Sequence, residues 1–460
     1  NKYVILAIAS IGVMIGVMTS SGMMDVARSG VFYPSMFSYQ EIMILFLGMM
    51  LSNIILLDIY NSLGLPTSTT VSLVFGLLGS ALALALYNIW SGDALMTDLG
   101  KYINSGNALA IVSGILLSVV LAFFTGHILM YISRVIFSFR YSKVFNRFGA
   151  LWCGITLAGI IYFTVFKGLK STSLIPDVLK EYVNDHTGMA LLILWAGSSL
   201  LLWILQRCKV NILRVSILAG TLSLALAFAG NDLVNFIGVP IAGLDAYNIA
   251  KEAGSTTILM EGLNQNLPAQ FIWMLLSGVI MVVTLWTSTK SMNVSQTEIS
   301  LAGHGDEVEG EVNSNVFSRS IVRASIGISN FLDKVIPQSV QEFVGKRFEY
   351  EDVEKNGAPY DKIRAVVNLT TAALLISVGT SLKLPLSTTY VCFMVAMGSS
   401  LADKAWGRES AVHRISGVMT VVMGWFVTGI GACIIAIAVG LLLIWGGTVA
   451  FAFVTVACAY

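Results

Sequence analysis

A carboxylate and two carboxamides lie inside a strongly apolar stretch of the chain, which reads A-F-A-G-N-D-L-V-N-F-I-G-V-P from Ala227 to Pro240. An Asp at the centre of a membrane-spanning helix costs roughly 3 kcal/mol on insertion scales, so a charged residue in that position indicates a functional site. The side-chain oxygens of Asp232, Asn231 and Asn235 suit a hard cation such as Na⁺. The stretch therefore predicts a sodium site; the competing interpretation is a structural polar contact between helices.

The residues around this polar group favour an interruption of the helix. Gly230 precedes the Asn-Asp pair, and Gly238 and Pro240 follow it. A break in the backbone at membrane depth is tolerated only where it lines a cavity or is buried in protein. We therefore expect a broken helix here, next to a cavity.

Two further elements combine proline with hydroxyl side chains. L-G-L-P-T-S-T-T begins at Leu63 and L-K-L-P-L-S-T-T begins at Leu382, and each continues to a Gly-Ser pair at the same distance. Proline fits the first turn of a helix, which predicts that Pro66 and Pro385 start helices. A helix that starts inside the membrane offers unpaired N–H groups and the positive end of its dipole to an anion. The hydroxyl residues at these two predicted anion-binding ends are Ser68, Thr69, Thr70, Ser387, Thr388 and Thr389.

The composition places these elements in a membrane. Of the 460 residues, 56% are hydrophobic and 12% are charged, and the mean hydropathy is +0.80. Soluble domains carry about 25% charged residues, so the chain is predicted to be an all-α polytopic membrane protein. The net charge of +1 argues against a nucleic-acid partner. The five cysteines and four histidines are scattered and show no spacing typical of a metal site, a disulfide framework or a cofactor.

About eleven or twelve apolar segments approach or exceed the length that spans a bilayer. Loops rich in Lys and Arg mark the cytoplasmic side, and they are Arg134–Arg147, Arg207–Arg214 and Lys404–Arg414. If each Pro-Ser/Thr element counts as one crossing, all basic loops fall on one side and all acidic or mixed loops on the other. This topology predicts a multi-pass protein of the plasma or inner membrane.

The two Ser-Thr-Thr elements belong to an internal repeat. The similarity continues beyond these elements, since Phe124-Thr125-Gly126 in the first copy resembles Val427-Thr428-Gly429 in the second. The charges of the loops give the two copies opposite orientations across the membrane. Inverted repeats with interrupted polar segments are typical of secondary transporters. We divide the chain into a first half (1–205), the start of the second half with the Gly-Asn-Asp element (206–288), a cytoplasmic hydrophilic loop (289–361) and the remainder (362–460). The first copy of the Asn-Asp element is expected upstream of Asn1.

At G-N-D-L-V-N-F (Gly230 to Phe236) and the two P-x-S-T-T elements, the chain resembles the inorganic phosphate transporter family of cation-coupled symporters. The resemblance implies that phosphate binds between the halves, held by the Ser-Thr-Thr residues with Asn231 and Asp232, and that Na⁺ or H⁺ binds beside it. The chain departs from the family at Val71 and Tyr390, where a His often follows Ser-Thr-Thr.

The resulting hypothesis is a symporter that imports inorganic phosphate by alternating access, without a bound cofactor. The expected partners are phosphate and the lipid bilayer, with a homodimer left open. Three alternatives remain: a carrier of sulfate or another oxyanion, a non-transporting membrane sensor or scaffold, and an intramembrane enzyme. The last would require a nucleophile–base pair or a metal cluster, and His127 and His413 have no partner at suitable spacing.

Overall fold

Helices make up almost all of the computed structural model, which describes residues 2–17, 24–63, 67–92, 96–168, 176–265, 270–288, 337–348, 361–382, 384–403 and 408–459. Within these ranges the only β-type pairings are two isolated bridges, Phe32 with Ile103 and Ser38 with Leu259. Eight helices in the described ranges are long and apolar enough to cross a membrane, and three more are apolar but shorter. The protein is therefore an all-α polytopic membrane protein, as predicted.

The first half contributes the helices α1 (Lys2–Val17), α2 (Met24–Ser29), α3 (Tyr39–Ser62), α4 (Thr69–Ser91), α5 (Leu99–Tyr102), α6 (Ser105–Phe137), α7 (Ser142–Ile161, continued by a π-helix over Tyr162–Gly168), α8 (Asp177–Asp185) and α9 (Thr187–Arg207). The rest of the chain contributes α10 (Ile212–Ala253), α11 (Phe271–Thr287), α12 (Gln338–Arg347), α13 (Lys362–Ser381), α14 (Thr388–Ala402) and α15 (Arg408–Ala459). Most of the predicted cytoplasmic loop 289–361 lies outside the described residues. Only residues 337–348, which include α12, and residue 361 are described.

The element with the Asn-Asp pair is a continuous helix, so the predicted break is wrong. α10 runs through Gly230 and through Pro240, which lies inside the helix. A proline in a membrane helix is tolerated where neighbouring helices re-satisfy the freed backbone groups, and α10 packs against α1, α13 and α3. The helix ends at Gly254, which takes the left-handed conformation (φ 68°) of a C-terminal cap.

Long helices are started by side-chain caps that the sequence provides. Ser38 and Glu41 form a reciprocal capping box at the start of α3. Asn104, Asn211 and Asp361 cap α6, α10 and α13 by accepting an N–H of the first turn. At its far end the chain bends at Gly447, where the two helical parts of α15 meet.

The two Pro-Ser/Thr helices exchange partners between the halves of the chain. α4, from the first half, packs against α3 and against α15 of the second half. α14, from the second half, packs against α13 and against α6 of the first half. Each of the two helices thus joins a group of three whose members come from both halves.

The bundle has two ends that α10 connects. At one end, Asn88 near the C-terminus of α4 donates to the Oε1 of Glu41 (2.5 Å), and Ser38 pairs with Leu259 just beyond α10. At the other end, Ile212 at the start of α10 lies in a buried cluster with Phe137 and Ala402. The C-termini of α4 and α14 therefore lie at opposite ends of the bundle.

The Gly-Ser pair of the repeat permits close contact in each three-helix group. A Cβ added at Gly398 on α14 would collide with the carbonyl oxygen of Phe123 on α6, and one added at Gly79 on α4 would collide with that of Cys433 on α15. Small residues allow membrane helices to pack backbone against backbone in this way. Gly79 and Gly398 therefore set the distance between α4 and α15 and between α14 and α6.

Replacing Gly398 by Ala should force α14 away from α6 and destabilise the protein by about 1–3 kcal/mol, the usual cost of overpacking. Thermal unfolding in detergent measures the effect. Gly114→Ala on the same α6 is the matched control, since a Cβ there meets nothing within 4 Å. Equal melting temperatures for the two variants would contradict the assignment.

Candidate functional site

The middle of α10 presents three buried polar side chains. Asn231 and Asp232 are each 1% exposed and Asn235 is 2% exposed. Asp232 and Asn235 are three residues apart and therefore share one face of the helix. The Nδ2 of Asn235 donates to the Oδ1 of Asp232 at 3.3 Å. The middle of α10 thus carries a buried carboxylate, midway along the bundle.

The N-terminus of α4 approaches this carboxylate. Ser68 is the N-cap and accepts the N–H of Val71 at 3.2 Å, so its hydroxyl proton remains available to donate. The Thr70 hydroxyl lies 3.5 Å from the Oδ1 of Asp232 and donates to the carbonyl of Leu386 at 2.9 Å. Because Leu386 directly precedes the N-cap of α14, this bond connects the starts of the two helices.

Asn235 is bonded to α4 through the same hydroxyls. Its Nδ2 donates to the Oγ1 atoms of Thr69 (3.0 Å) and Thr70 (2.9 Å). The first turn of α4 is therefore held against α10 by hydrogen bonds between side chains.

The N-terminus of α14 reaches the other oxygen of the carboxylate. Ser387 is its N-cap and accepts the N–H of Tyr390, and the Thr388 hydroxyl donates to the Oδ2 of Asp232. The prediction that Pro385 lies in the first turn is wrong: it precedes the N-cap by two residues, because Ser387 is the better cap. Pro66 lies outside the described residues.

Asn231 points in a different direction. Its Nδ2 donates to the Oγ1 of Thr380 on α13 at 3.0 Å, and its Oδ1 is buried without a hydrogen-bond partner among the described residues. A buried carbonyl oxygen without a donor is costly, and a cation would satisfy it.

Two positive helix ends and one negative side chain thus meet in a buried place. The N-termini of α4 and α14 each carry a partial positive charge, which stabilises the carboxylate of Asp232. Among the ion pairs of the described residues, none includes Asp232. The described residues also contain no group of three or more His, Cys, Asp or Glu that could hold a metal ion. The site can therefore hold an anion at the helix ends and a hard cation at the carboxylate and amide oxygens.

The structure brings most of the predicted site residues together, but not all in the same way. Asp232, Asn235, Thr69, Thr70 and Thr388 form one hydrogen-bonded cluster. Ser68 and Ser387 adjoin it as helix caps, Thr389 follows Thr388 and is half-buried, and Asn231 bonds to α13.

Sequence reasoning missed two contributors to the cluster and its surroundings. The hydroxyl of Thr380 stands in an apolar span shortly before Pro385, which is a weak signal. Leu386 contributes only its backbone carbonyl, and because every residue has one, the sequence gives no signal for it.

Buried ion pairs lie toward both ends of the bundle. At the end near Ser38, Arg28 is 2% exposed and donates to the Oδ2 of Asp245 at 2.7 and 3.1 Å. Asp25 and Arg28 both belong to the helix α2, and the pairing of Arg28 with Asp245 joins α2 to α10.

At the opposite end, Arg134 on α6 is fully buried. It donates to both carboxylate oxygens of Asp403 (2.8 and 2.7 Å) and to the Oδ2 of Asp361 (2.8 Å). Its guanidinium also lies 3.8 Å from the centre of the Phe139 ring. Because Asp403 caps α14 and Asp361 caps α13, one side chain ties three helices together.

Comparison with known proteins gives two matches. A family model described as the phosphate transporter family matches residues 2–297, which is more than half of the chain. A solved structure described as "The sodium-dependent phosphate transporter" shares the fold, with a TM-score of 0.62 at 15% sequence identity, covering 96% of this chain and 89% of that one. No curated protein matches the chain.

Proposed function

Because the chain belongs to the phosphate transporter family, we propose that it imports inorganic phosphate together with a coupling cation, by alternating access. One observation carries the proposal: the N-termini of α4 and α14 converge on the buried carboxylate of Asp232. Helix N-termini with hydroxyl donors bind phosphate well, and a carboxylate beside them binds the cation that enters with it.

In this proposal the anion is bound by the Ser-Thr-Thr residues of both helices. Ser68 and Ser387 accept backbone N–H groups through their oxygens and donate their protons to the anion. Thr69 and Thr389 add hydroxyls at the same helix ends, whereas the hydroxyls of Thr70 and Thr388 connect the two helix ends to Leu386 and Asp232. Since these donors carry no full charge, a negatively charged substrate gains only partial compensation from the two helix dipoles. A co-transported cation then supplies the remaining charge.

The cation of the proposal is Na⁺, with H⁺ as the alternative. Asp232 offers a carboxylate and Asn231 a buried carbonyl oxygen without a donor, and Asn235 is bonded to the same carboxylate. Oxygen ligands of this type suit a hard cation. The solved structure that shares the fold is that of a sodium-dependent transporter, which is in line with this choice. Alternating access then works in a plasma or inner membrane, with the tract 289–361 on the cytoplasmic side.

Uptake of radiolabelled phosphate into proteoliposomes tests the proposal. We expect rapid accumulation with an inward Na⁺ gradient and a rate near that of empty liposomes when K⁺ replaces Na⁺. A proton gradient imposed without Na⁺ distinguishes the proton alternative. Unlabelled sulfate should compete poorly, and competition as strong as that of unlabelled phosphate would instead support a general oxyanion carrier. Absence of uptake under all gradients would refute transport.

A further inference from the structure

The N-terminus of α4 has polar neighbours on a second side as well. Thr70 contacts Asp232, whereas the hydroxyl of Thr67 donates to the Oγ1 of Thr428 on α15 at 3.3 Å. Thr428 is fully buried and donates in turn to the carbonyl of Gly424 at 2.8 Å. Thr428 thus accepts one hydrogen bond and donates one, which leaves its hydroxyl oxygen a single free lone pair.

Two aromatic side chains with polar groups lie on this second side. Tyr390, in the first turn of α14, stacks on Trp425 of α15 with ring centroids 3.6 Å apart, and the two residues are 2% and 6% exposed. The Tyr390 hydroxyl lies beside Ser68 and Thr428. Neither this hydroxyl nor the indole Nε1 of Trp425 forms a hydrogen bond of acceptable geometry within the described part of the chain. The Tyr390 hydroxyl therefore approaches Ser68 and Thr428 without a well-formed hydrogen bond, and the indole N–H of Trp425 has no acceptor among the described residues.

The chemistry of the surrounding atoms determines what could satisfy these donors. An indole N–H only donates, and the proton of Ser68 is likewise left to donate because its oxygen accepts the N–H of Val71. A water molecule could accept from these donors but would bring two protons of its own, for which the hydroxyl oxygens of Ser68 and Thr428 each offer only one remaining lone pair. An oxyanion brings several acceptor oxygens and is further favoured by the first-turn N–H groups and dipole of the 23-residue helix α4.

We propose that Tyr390 and Trp425 are substrate-contacting specificity residues, whose O–H and N–H donate to oxygens of the transported tetrahedral oxyanion on the Thr67–Ser68 side of α4. This inference rests on the proposed function and assigns separate sides of one helix end to the two ions. The cation lies with Asp232 and Asn235, next to Thr69 and Thr70. The anion lies on the side that carries the Tyr390 and Trp425 donors, and the carboxylate of Asp232 is bonded on the other side to Thr70, Thr388 and Asn235.

The test compares Tyr390→Phe, which removes only the hydroxyl, with wild type in proteoliposomes of the full chain. Initial rates of phosphate uptake are measured against phosphate concentration at saturating Na⁺, and against Na⁺ concentration at saturating phosphate. We expect the KM for phosphate to rise about tenfold, as for loss of one hydrogen bond to a charged group, with kcat and the half-saturating Na⁺ concentration nearly unchanged. Trp425→Phe, which retains an aromatic ring, should raise the KM similarly.

Thermal unfolding separates this role from a structural one. Removing a buried donor that has no partner should leave the melting temperature unchanged or raise it. A lowered melting temperature with an unchanged KM would assign Tyr390 to packing and overturn the inference.

Two control variants remove the same groups elsewhere and should keep the wild-type KM. They are Tyr102→Phe, at a ring packed on Phe37, and Trp195→Phe, at an indole that donates to the carbonyl of Leu151. If wild type shows no phosphate uptake, the proposed function itself fails. If wild type transports and Tyr390→Phe has an unchanged KM, only the present inference fails.

Discussion

Asp232→Asn should reduce Na⁺-driven phosphate uptake by about 100-fold, the effect expected for loss of a strong hydrogen-bonded charge that ligates the coupling ion. The substitution keeps the shape of the side chain and leaves one oxygen to accept from Thr388 or Thr70. It removes the negative charge that the cation requires. Initial rates of uptake and the dependence of the rate on Na⁺ concentration measure the loss.

The stability of the same variant gives an independent check. The Asp232 carboxylate is buried without an ion-pair partner among the described residues, so its neutralisation should leave the melting temperature unchanged or raise it. Asp58→Asn, at an exposed carboxylate on α3, is the matched control and should retain uptake. Retention of half of the wild-type rate by Asp232→Asn would remove Asp232 from the cation site.

Arg134→Met should destabilise the protein by about 3–5 kcal/mol, the usual effect of removing one partner of a buried ion pair. Asp403, whose side chain is fully buried, would lose its bidentate partner, and Asp361 would lose one donor. Denaturant or thermal unfolding in detergent measures the change. The caps of α13 and α14 lie in the same network, so the loss should appear as earlier unfolding of both helices.

A second substitution tests whether the Asp403 carboxylate left without Arg134 is the cause. Arg134→Met combined with Asp403→Asn should recover much of the stability, because no full charge then remains at position 403. Lys101→Met, which breaks an exposed pair with Asp98, should change stability far less. Equal losses for Arg134→Met and Lys101→Met would refute the role of burial.

The sequence predicts most of the side chains that converge in the candidate site. Polar side chains in membrane-spanning helices are costly unless they pair with one another, and the hydroxyls of Thr70 and Thr388 do contact Asp232. The equal spacing of the two Ser-Thr-Thr elements also predicts two equivalent helices, and the structure has them as α4 and α14. The polar residues in apolar spans and the Ser-Thr-Thr helix starts can be recognised in the sequence because both depend only on local residue patterns.

The features that the sequence did not reveal depend on which helices become neighbours. Pro240 and its flanking glycines favour a break locally, yet packing keeps α10 continuous. Arg28 pairs with a residue 217 positions away and Arg134 with one 269 positions away, distances over which residue patterns carry no information. Tyr390 on α14 and Trp425 on α15 belong to different three-helix groups, so their stacking likewise depends on how these groups pack.

In the proposed mechanism of alternating access, the exchange of partners between the halves defines which helices would move together. One compact group consists of α3, α4 and α15 and the other of α6, α13 and α14, so a rigid body is not a continuous half of the chain. Each group contributes one helix N-terminus to the place where Thr70 meets Leu386. An ion bound at that place acts as a non-covalent crosslink between the two bodies. Its arrival should favour the closed arrangement, and its release should uncouple the bodies so that they can reorient.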